Sequence, residues 1–249
     1  MKKHSLTLLL LLLCTIVRAQ STGDDFGIWY TLGAQKKLSQ QLSISLEGEY
    51  RTRNNARTTD RWTIEAAAAW KPNRNLKIEG GYKFIDEQRQ EKISYTTTPI
   101  NLKHWRPSYY HIRHRVFLGA EASIQIQRFT ISLRERWQYT YRPDKSVSRY
   151  DFDDERWEQH NVGAKAKHEL RSRLKMEYDF PHWKLDPEVS AELFNAWRTE
   201  QIRLTIGTDY KIKKHHVIKA FYRFQINNEE GDIYDYNEHI LGLGYQFRF

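Results

Sequence analysis

The ten histidines are the residues from which a catalytic site would be expected to start. A histidine and a serine two positions apart on one strand share a face, so the imidazole could accept the hydroxyl proton, as in barrel lipases and deacylases. None of the ten has a serine two positions before or after it, and no aspartate stands two positions from a histidine, as an omptin-like protease would need. The acidic run 151–155 is expected to form a solvated loop. The sequence predicts no catalytic residues, although residues from several strands could still combine into a site.

The residues that could bind a metal ion also lack a suitable spacing in the sequence. His111 and His114 are three positions apart and are expected on opposite faces of a strand. His215 and His216 lie in a predicted turn beside two lysines, whose positive charge disfavours a cation. The Cys/His spacing of structural zinc sites is absent. We therefore predict no metal site and no cofactor.

The elements that would have to position any site are β-strands. From Gln41 onward, apolar and polar residues alternate with period two, and no long segment shows a helical period. In the segment from Trp62 to Trp70, for example, Trp62, Ile64 and Trp70 occupy one face. Each such segment has one apolar and one polar face, because successive side chains of a strand point in opposite directions.

Composition removes several classes of protein. The 249 residues have a mean hydropathy of -0.79, too polar for a protein built of membrane-spanning helices. Aromatic residues make up 14%, which argues against intrinsic disorder, and the single cysteine cannot form a disulfide within the chain. The formal charge is +9, but basic and acidic residues are interleaved, so no nucleic-acid partner is expected.

The first nineteen residues predict export. Lys2 and Lys3 precede an apolar run from Leu6 to Val17, and Ala19 provides a small residue at the end, as in a cleaved signal peptide. Lipoprotein processing at Cys14 and a buried helix remain as alternatives. We expect residues 1–19 to be removed and residues 20–249 to form a single outer-membrane barrel domain.

The direction of the apolar face separates a membrane barrel from a soluble lipid-binding barrel. Apolar stretches of constant length, short connections alternating with longer ones, and a strongly charged opposite face all favour apolar residues facing lipid. We predict an all-β fold, an antiparallel transmembrane β-barrel of about 10–12 strands with short periplasmic turns and longer extracellular loops. The predicted charge network in the lumen comprises Glu47, Glu49, Glu65, Lys77, Glu79, Arg113, Arg115, Arg134, Arg136, Arg171, Arg173, Arg203 and Arg223.

Aromatic residues mark the ends of the apolar stretches and of the chain. Amphipathic rings prefer the headgroup level of a membrane, and we predict this position for Trp62, Trp70, Trp137 and Tyr210. The final strand alternates to a terminal phenylalanine, and it resembles the signal by which outer-membrane barrels are recognised by their assembly machinery. Its residues are Tyr245, Phe247 and Phe249.

The whole mature chain resembles one family. The motifs are Gly27-Ile28-Trp29-Tyr30, the stretch from Leu133 to Tyr139 with Tyr141-Arg142-Pro143, and the final strand. They are similar to an outer-membrane barrel family of the Bacteroidota known as domain of unknown function 2490. The resemblance covers about residues 22–249 and implies a barrel in the outer membrane without an established activity or functional residues.

The strand count raises a conflict. Eleven segments begin at about residues 26, 42, 62, 76, 109, 129, 161, 185, 201, 217 and 239. Bacterial single-chain barrels have even numbers of strands. Either the first segment is not a full wall strand, which gives ten, or two strands are merged into one segment, which gives twelve. The segment 161–178 is long enough to contain a kink or a bulge.

The sequence favours a non-enzymatic barrel, either structural or with a narrow path that prefers anions because the inward residues lean basic. A barrel enzyme acting on lipid or lipopolysaccharide, and more weakly a soluble periplasmic lipid binder, remain open. Expected partners are outer-membrane lipid and lipopolysaccharide and the assembly machinery. The loop 86–107, with Tyr95, Thr96, Thr97, Thr98 and Trp105, is the candidate contact for a glycan or a protein.

Overall fold

A computed structural model describes residues 24–97, 101–181, 184–196, 199–213, 215–227 and 237–249. The predicted signal peptide, residues 1–19, lies outside the described residues. So does Thr98 of the candidate contact loop. No helix in the described part of the chain is long and apolar enough to cross a membrane.

The described residues are organised as β-strands joined by turns. The strands are β1 (Asp25–Lys37), β2 (Leu42–Arg53), β3 (Thr58–Trp70), β4 (Leu76–Arg89), β5 (Lys92–Tyr95), β6 (Leu102–Arg106), β7 (Tyr109–Ile126), β8 (Phe129–Arg142), β9 (Lys145–Asp151), β10 (Arg156–Val162), β11 (Lys165–Tyr178), β12 (Leu185–Asn195), β13 (Thr199–Ile212), β14 (His216–Asn227) and β15 (Glu238–Arg248).

Eleven of these strands close a barrel, in the order β1-β15-β14-β13-β12-β11-β8-β7-β4-β3-β2. The prediction of an all-β barrel of about 10–12 strands is confirmed. The expectation of an even count is wrong, because β1 is a full wall strand. It pairs in parallel with β15, from Asp25 opposite Glu238 to Gln35 opposite Arg248, and this parallel pair lets an odd number of strands close.

Two cross-strand pairs of glycine and phenylalanine fill part of the interior. Phe221 lies opposite Gly242, and Phe117 lies opposite Gly81. A Cβ atom at either glycine would overlap the ring of its partner. Each ring therefore covers the backbone of the neighbouring strand, an arrangement that protects a strand glycine and fixes its register.

The remaining four strands form a separate small sheet at one end of the barrel, in the order β10-β9-β6-β5, which we call the rim sheet. β5 and β6 lie in the connection between β4 and β7, and β9 and β10 lie in the connection between β8 and β11. The segment 86–107, predicted as a loop, thus contains the end of β4 and a hairpin. The sequence pattern misses this because β5 and β6 have only four and five residues.

Apolar side chains of the barrel strands face outward and charged ones face inward. Leu133, Leu204 and Ile206 are 52%, 49% and 59% exposed, whereas Arg134 and Arg203, their sequence neighbours, are 8% and 9% exposed. This is the polarity of a membrane barrel and the reverse of a soluble lipid-binding barrel.

Candidate functional site

The charged side chains meet in the interior of the barrel. Several of them contact partners on strands that are not neighbours in the wall. Arg136 on β8 pairs with Glu79 on β4, although β7 lies between these strands. In the same way Arg173 on β11 reaches Glu121 on β7, 2.9 Å away, past β8. The two partners of each pair lie on the same face of the sheet, and their low exposure shows that this face is the inner one.

Glu192 on β12 is the centre of the most buried part of this network. Its carboxylate accepts hydrogen bonds from Arg134 at 2.6 Å and from Arg171 at 2.8 Å, and Arg203 lies 3.9 Å away. Three strands, β8, β11 and β13, therefore converge on one carboxylate. A buried carboxylate of this kind is expected to be strongly coupled to its partners, since its removal would leave several buried cations unpaired.

Trp29 on β1 provides an aromatic surface beside this centre. The guanidinium carbons of Arg51, Arg223 and Arg203 lie 3.6, 4.7 and 5.4 Å from its ring centroid. Arg203 and Arg171 also approach the ring of Phe194, at 4.3 and 4.5 Å. Such cation–π contacts gain strength where the cation is shielded from water.

We call the five guanidinium groups of this region the arginine cluster. Its members are Arg51, Arg134, Arg171, Arg203 and Arg223.

Among the described residues, two carboxylates form ion pairs with the arginine cluster: Glu192, and Glu49, which pairs with Arg51 at 2.7 Å. The cluster therefore carries more positive than negative charge. In addition, the buried Nε–H groups of Arg134 and Arg171 make no hydrogen bond within the described part of the chain.

The other residues of the predicted network form smaller groups. Glu65 pairs with Lys83 at 2.8 Å, and Glu47 lies directly opposite Glu65 in the strand register. Glu79 joins Lys77, at 2.5 Å, to Arg136. The two remaining arginines have different partners: Arg113 pairs with Glu87, while Arg115 donates to the hydroxyl of Thr140 at 2.9 Å.

The predicted aromatic residues lie on the outer surface of the barrel. Trp70 and Tyr210 are near the ends of strands joined by short turns, whereas Trp62 and Trp137 are nearer the end that carries the rim sheet. Trp62 packs against Phe84 and Trp137 against His168, with ring centroids 5.3 and 5.7 Å apart.

The C-terminal residues complete the parallel seam of the barrel. The backbone N–H of Phe249 donates to the carbonyl of Gln35 at 2.8 Å, and its ring packs edge-on against Phe247. Tyr245 hydrogen-bonds to Nδ1 of His216 at 2.7 Å.

The rim sheet has one polar and one aromatic face. On the aromatic face the rings of Trp105 and Trp157 are 5.6 Å apart, and Tyr150 packs against Trp157 at 5.4 Å. The strand register places His104 of β6 opposite Asp151 of β9 on the polar face. This pairing holds the connection between β4 and β7 against the connection between β8 and β11.

Electrostatics on the polar face favour an ionised Asp151. Desolvation acts to raise the pKa of this carboxyl, but hydrogen bonds from the backbone N–H groups of Asp153 and Asp154 and the nearby His104 outweigh it and hold the pKa below its ordinary value. Desolvation and the guanidinium groups of Arg149 and Arg106 lower the pKa of the His160 imidazole.

Several central residues of the interior were not among the predicted ones. Glu192, Arg51, Trp29 and Phe194 all belong to the arginine cluster or its immediate surroundings. The alternation of β12 contained the signal for Glu192, since this residue stands between the outward-facing Ala191 and Leu193. The inward position of Trp29 and Phe194 could not be predicted, because the alternating pattern assigns aromatic residues to the outward, apolar face.

The closed wall, outward apolar side chains and inward charges define an all-β barrel with the fold of outer-membrane barrel proteins. The chain belongs to the family described as protein of unknown function (DUF2490), whose family model matches residues 26–238. No curated protein sequence matches the chain.

Two solved structures match the chain. The first is the crystal structure of the beta domain of the Bordetella autotransporter BrkA, with a TM-score of 0.54 and 11% sequence identity, over 77% of this chain and 80% of that chain. The second is a porin refined at 1.8 Å, with a TM-score of 0.34 and 12% identity, over 82% of this chain and 57% of that chain. The similarity to the autotransporter beta domain is one of barrel fold.

Proposed function

We propose that this protein is a non-enzymatic integral β-barrel of the outer membrane, whose interior is narrowed by the arginine cluster and carries only a small current of anions. The exposed apolar side chains on the outer surface of the barrel, such as Leu133, Leu204 and Ile206, support the membrane location. The predicted export signal supports the outer membrane. By the usual asymmetry of such barrels, the short turns face the periplasm and the rim sheet faces the outside.

The excess of guanidinium groups around Trp29 carries the proposal of anion preference. Rings of arginine or lysine side chains favour anions, because the local potential raises their concentration in the path. The five guanidinium groups outnumber the two carboxylates with which they pair, so the local charge attracts anions and repels cations. Buried aromatic side chains at Trp29, Phe117 and Phe194 restrict the size of any solute.

Planar-bilayer recording of the refolded protein tests this proposal. Under a KCl gradient, the reversal potential should have the sign of chloride preference, and the single-channel conductance should be well below that of an open porin. The double variant R203Q/R223Q should lose much of the preference. R156Q is a matched control, because Arg156 lies on the rim sheet with its side chain 68% exposed.

Two results would contradict the proposal. One is a preference for potassium in the unmodified protein. The other is a chloride preference that R203Q/R223Q leaves unchanged. Membrane location is tested separately, by recovery of the protein in the outer-membrane fraction after a high-salt wash.

A further inference from the structure

The strongest unexplained cluster of side chains lies on the polar face of the rim sheet, outside the barrel. His104, Asp151 and Glu158 come from β6, β9 and β10, and one nitrogen or oxygen ligand atom of each lies within 4.8 Å of the others. Nε2 of His104 is 3.4 Å from Oδ2 of Asp151. All three side chains are partly buried.

In each of the three side chains, one polar atom is hydrogen-bonded to a residue outside the cluster and the other is not. Nδ1 of His104 lies 3.3 Å from the hydroxyl oxygen of Ser94, so the tautomer that donates this bond leaves Nε2 as an acceptor. Oδ1 of Asp151 accepts two backbone N–H groups, at 2.9 and 3.3 Å, which leaves Oδ2 directed at His104.

Glu158 repeats this arrangement. Both Nε and Nη2 of Arg149 donate to its Oε1, whereas Oε2 makes no hydrogen bond within the described part of the chain. Outer partners of this type, which fix the orientation of a ligand and the tautomer of a histidine, accompany most metal sites in proteins. Their presence on all three side chains distinguishes this cluster from an ordinary ion pair.

We propose that His104, Asp151 and Glu158 bind one divalent transition-metal ion, such as Zn²⁺, on the rim sheet. One imidazole nitrogen and two carboxylate oxygens suit such an ion better than Mg²⁺ or Ca²⁺, which prefer oxygen ligands alone. The two carboxylates and the guanidinium of Arg149, which pairs with Glu158, leave one net negative charge to offset that of the ion. Three protein ligands leave a fourth position for water.

The site lies where the rim sheet is weakest. Only two register pairs, His104 with Asp151 and Trp105 with Tyr150, join β6 to β9 in the described residues. A metal bound by ligands from β6, β9 and β10 would link the two connections by bonds stronger than these. We therefore expect the ion to hold the two halves of the rim sheet together.

Isothermal titration of Zn²⁺ into the full mature chain, refolded in detergent and treated with chelator, tests the proposal. One equivalent should bind, and H104A, D151N and E158Q should each weaken binding. Loss of an outer partner costs about 10–100-fold in affinity, so S94A should fall in that range and the ligand variants should lose at least as much.

The matched control is H114A, which removes a histidine from the outer surface of β7, away from the rim sheet. Its affinity should equal that of the unmodified protein. Folding of every variant is checked by the heat-dependent gel mobility of the barrel. As a second measurement, Zn²⁺ should slow proteolysis within residues 89–109 and 142–165, and H104A should abolish this protection.

The proposal is overturned if the unmodified protein binds no Zn²⁺, if the three ligand variants bind as tightly as the unmodified protein, or if H114A loses as much affinity as they do. The last result would indicate adventitious binding to surface histidines. These outcomes are independent of the proposed anion path, since the site lies outside the barrel.

Discussion

Arg51 packs over the indole ring of Trp29, directly opposite it in the register of β1 and β2, with the guanidinium carbon 3.6 Å from the ring centroid. Arg203 and Arg223 reach the same ring from β13 and β14. Trp29 therefore fills interior space between β1 and two strands, β13 and β14, that are not its neighbours in the wall. One aromatic ring thus contacts three like charges.

Replacement of Trp29 by alanine should enlarge the interior beside the arginine cluster. We expect W29A to increase the single-channel conductance severalfold, because a large ring is removed from a path lined by charged side chains. The measurement is single-channel recording in planar bilayers. W62A is the control, since Trp62 lies on the outer surface and its removal should leave conductance unchanged. Equal conductance in W29A and the unmodified protein would mean that the restriction lies elsewhere.

Replacement of Glu192 by glutamine should destabilise the barrel. The variant leaves Arg134, Arg171 and Arg203 without their shared carboxylate, and an uncompensated buried charge of this kind costs about 3–5 kcal/mol. The free energy of unfolding in urea, measured in lipid vesicles, should fall by about 3 kcal/mol. The exposed Glu155 gives a control, E155Q, with an expected change within about 0.5 kcal/mol. A similar small change in E192Q would show that the network is not strongly coupled.

A methyl group at Gly242 should disturb the packing of Phe221. Overpacking typically costs about 1–3 kcal/mol, so G242A should lower the free energy of unfolding by that amount. The double variant G242A/F221A should cost less than the sum of the single variants, because the overlap is then removed. Gly163 is a suitable control, since a Cβ there would meet nothing within 4 Å. Additive effects in the double variant would rule out the overlap as the cause.

Deletion of Phe249 separates recognition during assembly from stability of the finished barrel. If the terminal ring acts in recognition, the deletion should strongly reduce the amount of protein in the outer membrane, while the purified, refolded variant keeps most of its stability. Only one backbone hydrogen bond, to Gln35, is lost from the seam in the described structure. L38A, which alters another exposed apolar residue, should be assembled normally. Normal assembly of the deletion variant would exclude this role.

Much of the wall was predictable because a strand has a period of two and a membrane barrel repeats it at constant length. The eleven segments found in the sequence correspond to the eleven wall strands in the described chain. The segment expected to begin at residue 161 starts instead at Lys165, because Asn161 and Val162 belong to β10 of the rim sheet. The rule of even numbers was misleading, since it assumes that the first and last strands are antiparallel.

The sequence by itself determined the all-β class and the two faces of each strand, because alternation is a local property of the chain. It did not determine which charges meet. Glu192 binds Arg134, which is 58 residues away in the sequence. His104 approaches Asp151 only because two distant connections pair in the rim sheet. Such contacts depend on closure of the barrel and on the register between strands. Only the tertiary structure decides these, since they arise from packing between segments far apart in the chain.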